Sequence, residues 1–139
     1  MATLTQDSIR VYEIGDFNDL PVVASDIIYE GAIIGDNASG YARPLVAGDP
    51  FLGICERHAD NSAGSAGDIN VRSRVRGLIE MPVTGATGVG DVGSIVYAAD
   101  DDTLTLTAGS NTLIGWVHRY VSSTTCVVRF DVYEALAKA

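Results

Sequence analysis

The chain has 139 residues, 47% of them apolar, and a formal net charge of −9. That length and apolar content fit one folded domain with its own core and exclude a disordered chain. The acidic balance argues against tracking a phosphate backbone, and no apolar run nears the roughly 20 residues that span a bilayer, so neither nucleic acid nor membrane is an expected partner.

Fifteen glycines, frequent β-branched residues and almost no helical periodicity point to an all-β protein. The expected fold is a small single-domain barrel or sandwich of short strands. It has two related β-meander halves, an extended N-terminal arm and a short C-terminal helical tail. Residues 1–19 read as the arm and 20–139 as the β domain. In the arm, Ile9, Val11 and Ile14 suit a short strand with Arg10 and Glu13 outward, ended by Gly15–Asn18. This segment has too little apolar surface to hold itself, so it either frays or orders against something else. It has no apolar h-region, so no signal peptide is expected and folding in a cytoplasm is.

Two stretches of the body, about 27–56 and 93–118, look alike. Gly31-Ala32-Ile33-Ile34 matches Gly93-Ser94-Ile95-Val96, and Phe51-Leu52-Gly53-Ile54 matches Leu113-Ile114-Gly115-Trp116, both at a step of 62 residues. Ala47-Gly48-Asp49 sits near Ala108-Gly109-Ser110 with a slip of one. Two copies are too few for a solenoid, so two meanders closing on each other are expected.

Between the copies, the small polar run His58–Gly67 reads as a mobile surface loop, serving as a recognition loop or a plain connector. Asp68–Val83 then reads as one long strand. Its odd positions from Ile69 to Val83 are nearly all apolar, and Arg72, Arg74 and Arg76 stand on the other face. Those arginines either pair with the chain's own acids or form a stripe for an acidic partner, where the guanidinium fork binds carboxylates bidentately. Gly85–Gly93 is a flexible link without the Gly-Lys-Ser/Thr ending of a phosphate loop.

Four strands then follow: Ser94–Tyr97, Thr103–Thr107 with Leu104 and Leu106 on one side, Thr112–His118, and Cys126–Phe130. Asp100–Asp102 fits a hairpin turn better than a cation loop, because the glycine and terminal Glu of a calcium loop are missing. The tail Tyr133–Ala139 has good helix formers and would pack through Tyr133 and Leu136.

No catalytic constellation stands out, and the expectation is no enzyme, no cofactor and no metal. His58 and His118 lack ligand partners at useful spacing. Cys55 and Cys126 lie in apolar strands and read as buried free thiols. Arg57 and His58 beside Cys55 are a weak hint of a lowered thiol pKa. Trp116 and Tyr120 read as core unless exposed, in which case they would be interface anchors.

The run Gly93-Ser94-Ile95-Val96-Tyr97, the acidic turn, Thr103-Leu104-Thr105-Leu106-Thr107 and Asn111-Thr112-Leu113-Ile114-Gly115 resembles the C-terminal half of capsid cement (head decoration) proteins of tailed bacteriophages. Ile28–Ala32, Ser39–Leu45 and Ala47–Gly53 fit the same picture, so the resemblance spans Val22 to Phe130. It implies a non-enzymatic virion protein on the outer surface of the capsid, made in the host cytoplasm. It would bridge major capsid protein subunits of the expanded head and form a homo-oligomer, trimer favoured and dimer possible. It also implies that Met1–Asp19 is a docking arm. Candidate capsid contacts are Ile9, Arg10, Val11 and Tyr12 in the arm, Arg72, Arg74 and Arg76 in the stripe, and Asn61 and Ser62 in the loop. The competing expectation is a small β binding module of a phage tail or adhesin that recognises carbohydrate or a host surface.

Overall fold

The computed structural model describes residues 3–138. It is an all-β protein with one short helix, built as two five-stranded units in tandem. The first unit contains β1 (Phe17–Pro21), β3 (Ile33–Asp36), β4 (Ala42–Pro44), β5 (Phe51–Cys55) and β7 (Asn70–Arg74). Its strand order is β1-β7-β5-β3-β4, and one parallel bridge, Val22 to Ala42, joins the two ends. Two further strands, β2 (Asp26–Ile28) and β6 (Ala59–Asn61), pair beside it. The second unit is a closed barrel of β8 (Arg76–Thr84), β9 (Ile95–Ala98), β10 (Leu104–Thr105), β11 (Thr112–Ser122) and β12 (Thr125–Asp131). Helix α1 (Val132–Lys138) follows β12 and packs on β11 and β5.

The repeat is therefore larger and more regular than the sequence match. Ile33 pairs with Ile54 and Ile34 with Gly53, and Ile95 pairs with Trp116 and Val96 with Gly115. Both ladders carry a register shift just before the paired glycine. Ile54 pairs with Arg74, as Trp116 pairs with Arg129. Phe17 pairs with Arg74 and Pro21 with Asn70, as Leu78 pairs with Arg129 and Pro82 with Thr125. The parallel closure Val22–Ala42 returns as Val83–Leu104.

The turns repeat too. The Gly31 N–H donates to Cys55 O at 2.9 Å and the Gly93 N–H to Val117 O at 2.9 Å, and these glycines have φ of 86° and 88°. That left-handed geometry favours glycine, so both copies keep one there. The expected two meanders thus each close into a barrel of their own.

Inward residues alternate with outward ones along each strand. Val22, Ile28, Ile34, Ala42, Cys55 and Val71 fill the first barrel. Val83, Val96, Leu104, Ile114, Val117, Cys126, Val128 and Phe130 fill the second. Ile33, Leu45, Phe51 and Ile54 point out of the first barrel but are buried with this second cluster. The Phe51 and Phe130 rings meet edge to face at 6.3 Å across the joint. An anchor sits nearby: Arg43 grips Asp49 with two bonds of 2.9 and 2.7 Å, and the Val46 N–H donates to the same carboxylate at 3.0 Å. Burial alone would raise the Asp49 carboxyl, but the Arg43 and Val46 hydrogen bonds outweigh it and hold it below the ordinary value.

Several expectations change here. Ile9, Val11 and Ile14 form no strand, and the strand that does form begins at Phe17, inside the segment expected to break. The arm therefore ends near Asp16 and not at Asp19. The long strand Asp68–Val83 is two strands, β7 and β8, broken at Val75 and placed in different barrels. The tail helix packs through Val132 and Ala135, while Tyr133 and Leu136 face outward, because the chain enters the helix directly from β12.

Candidate interaction surfaces

The arm carries the most exposed apolar side chains. Ile9 is 97% exposed, Val11 96% and Tyr12 86%, with Leu4 and Ile14 also open. No strand or helix forms between Thr3 and Ile14. Arg10 is exposed beside them. Asp16 and Phe17 tie the root of the arm down. The Val75 N–H donates to Asp16 O at 2.9 Å, and the Asp16 carboxylate meets Arg76 at 3.2 Å. The Phe17 ring lies under two guanidiniums, Arg72 at 4.4 Å and Arg74 at 4.8 Å. Such contacts are worth about 0.5–1 kcal/mol each at exposed sites.

This geometry divides the arginine stripe. Arg74 donates to Glu56 at 3.0 and 3.2 Å and Arg76 to Asp16, so both are engaged by the chain's own acids. Arg72 has its guanidinium on Phe17 and is exposed. Because the strand breaks between Arg74 and Arg76, the three mark the joint of the two barrels more than one flat face.

The loop after β6 is tied and not loose. Asn61 is 3% exposed and its side-chain N–H groups reach Val23 O and Ser65 O at 3.0 Å each. The Gly67 N–H donates to Val22 O and the Ser25 N–H to Gly64 O. Asn61 is thus a clamp that satisfies carbonyls around the loop, and it is withdrawn from the surface set. Ser62 is exposed, with its hydroxyl donating to Asp60 at 2.6 Å.

Cys55 and Cys126 are buried free thiols, as expected. Burial pushes the Cys55 thiol up, and its Sγ lies 3.1 Å from Arg57 O. His58 packs its ring edge to face on Tyr29 at 5.3 Å. Asp100–Asp102 forms the expected turn, with the Asp102 N–H donating to the Asp100 carboxylate and the Ala99 N–H to Thr103 O. Burial first, and then Asp100 and Asp102, push the Asp101 carboxyl up. Among the described residues no group of three His, Cys, Asp or Glu is placed to hold a metal ion. A groove of about 410 Å³ runs between the barrels past Phe51, Tyr97, Leu113 and Leu136. The Tyr120 hydroxyl donates to Ser123 O at 2.8 Å, and Trp116 is half-buried on the outer side of the second barrel.

No helix among the described residues is long and apolar enough to cross a membrane. No protein-family model matches the chain, and no curated protein matches its sequence.

Sequence reasoning missed the outward row formed by Ile95, Trp116, Arg129 and Leu78, which the ladders of the second barrel align side by side. A signal existed. Leu20-Pro21-Val22 and Met81-Pro82-Val83 repeat at a step of 61, which extends the duplication to the first strand of each copy.

Proposed function

We propose that this chain is a structural virion protein that decorates the outer surface of a tailed-phage capsid and ties major capsid protein subunits of the expanded head together. The resemblance across Val22–Phe130 motivates the reading. The observation that carries it is the arm, a run of exposed apolar side chains on a segment with no regular structure, rooted on a double barrel. Buried against a partner, Ile9, Val11, Tyr12 and Ile14 would each gain about 1.5–3 kcal/mol. Ordering each residue costs about 1–2 kcal/mol, so one arm alone binds weakly. Backbone bonds to a sheet edge on the partner, and repetition over a shell, make up the difference. A cement protein has this design: many individually weak ties, each carried by a stiff body. In this reading the exposed Arg72 and Ser62 supply secondary contacts, while Arg74 is held within the first barrel by Glu56 and Arg76 ties the second barrel to Asp16 at the root of the arm.

The test mixes purified protein with expanded, undecorated heads and pellets the shells. The full chain should co-sediment at fixed stoichiometry, and a chain lacking residues 1–14 should stay in the supernatant. If neither folded form binds, the capsid reading fails and glycan screening takes its place.

A further inference from the structure

The second barrel closes on only two residue pairs, Val83 with Leu104 and Thr84 with Thr105. Before them in sequence, β8 has β12 on one side and no strand on the other. The Val83 N–H donates to Thr124 O and the Val132 N–H to Val75 O, so the odd residues of β8 turn their backbone groups toward β12. Those of Leu78 and Glu80 turn the other way. Among the described residues, neither their N–H nor their C=O groups meet a backbone partner.

This free edge lines a groove between the barrels, with hollows of about 310 and 520 Å³. Glu30 and Gly31 form its far wall. Ile79 and Met81 pack on the core of the second barrel yet stay half-buried, whereas Val83, where β10 pairs, is 0% exposed. The missing neighbour strand leaves them open. The first copy has the matching stretch in β1, but it places an exposed Asn18 where the second has Ile79. Acids crowd the groove. Glu30, Asp101 and Asp102 line the larger hollow, and Glu80 stands on the edge strand itself. Among the described residues none of these four carboxylates makes an ion pair.

We propose that the free edge of β8 receives an extended segment of another protein, apolar and basic by turns, as an added strand. Leu78 and Glu80 offer it two N–H donors and two C=O acceptors. Its apolar side chains cover Ile79 and Met81, and its Lys or Arg side chains lie beside Glu80, Glu30 and Asp102. From Gly77 to Met81 the edge runs about 13 Å at roughly 3.3 Å per residue, room for four or five residues of the incoming strand. Charge selects this occupant. The chain's own arm, at residues 3–14, carries one arginine against two acids, and a second copy would bring it to a groove of like sign. The proposal goes beyond the capsid reading and stands whichever protein supplies the strand.

The probe is the acetylated, amidated hexapeptide Lys-Val-Lys-Val-Lys-Val, titrated into the full chain with no shells present. It should bind saturably and slow amide exchange at Leu78 and Glu80, leaving Phe17 and Asp19 on the matching strand unchanged. The same peptide with aspartate for lysine should not bind. Glu30→Lys with Asp102→Lys, both at exposed positions, should weaken the lysine peptide about tenfold with an unchanged circular dichroism spectrum. The proposal is overturned if the lysine peptide does not saturate, if the aspartate peptide binds equally well, or if both amides exchange as before. A peptide of residues 3–14 that binds more tightly than the lysine peptide gives the groove to a second copy and also overturns it. Co-sedimentation with shells is read separately, so either reading can fail without the other.

Discussion

Gly115→Ala tests the packing logic of the repeat most directly. Gly115 sits on β11 where β12 crosses close by. A Cβ there would press on Arg129 O and would lie 2.9 Å from both Arg129 C and Phe130 Cα. Carbon atoms prefer about 3.5–4.0 Å, so the strands would have to part by roughly 1 Å. A backbone N–H···O bond stretched that far from about 2.9 Å is lost. Each buried group left unpaired costs about 1–3 kcal/mol, and overpacking strain is of similar size, so the expected loss is about 3 kcal/mol. For a chain of this length that lowers Tm by roughly 10 °C. Gly53→Ala, at the equivalent position, meets Arg74 O at 2.5 Å and also has φ of 118°, so its loss should be at least as large. Gly88→Ala is the control, since nothing lies within 4 Å of its added methyl and its backbone is extended. Thermal and urea unfolding followed by circular dichroism supply the numbers. If Gly115→Ala unfolds within about 0.5 kcal/mol of wild type, a surface-like effect, the close approach of the strands is not what the glycine serves.

Asp49→Asn should cost about 2 kcal/mol by loosening the Arg43 grip in a buried setting, read by urea unfolding at neutral pH. Because the folded Asp49 carboxyl is held below its ordinary value, its contribution is complete above about pH 4 and fades as pH falls through the folded value. The Asn variant should lose that part of the acid sensitivity. Asp101→Asn should behave oppositely. A carboxyl raised in the fold costs stability as pH rises past its ordinary value, so the variant should melt higher than wild type at pH 7 and equally near pH 3. Removal of residues 1–14 should leave Tm unchanged, since Thr3–Ile14 forms no strand or helix and is exposed throughout.

Much of the second barrel was legible because its strands obey period two and its turns are marked by Asp, Gly and Asn. The placement of Leu104 inside, with Leu106 against the core, followed from that alternation. The break at Val75 was not legible for the same reason. Val71, Ser73, Val75, Gly77 and Ile79 keep one parity straight through the point where the chain leaves one barrel for the other, so periodicity carries no mark of the change. Asn61 was misplaced because composition reports a small polar loop, whereas the fold uses the amide to satisfy inward carbonyls. The repeat was read too short. Its last strand returns at a step of 55, Arg74 to Arg129, because the β6 excursion lengthens the first copy.

The comparison of the two copies separates what the backbone requires from what the surroundings require. Gly31 and Gly93, Gly53 and Gly115, Pro21 and Pro82, Val22 and Val83, and Arg74 and Arg129 are the same residue in both. The first two pairs answer to left-handed geometry or to a strand passing too close for a Cβ. Val22 and Val83 are both 0% exposed, where the ends of each barrel meet. Arg74 and Arg129 each hold a carboxylate at 3.0 Å, Glu56 in one copy and Glu134 in the other. The outward positions differ instead: Leu45 against Thr107, Phe51 against Leu113, Ile54 against Trp116. In the first barrel those side chains meet a fixed neighbour and are wholly apolar. In the second they are mixed and partly open, with Thr107 exposed and Leu113 and Trp116 half-buried. One backbone plan thus carries a buried joint on the outer face of the first copy and a partly open face at the matching place on the second.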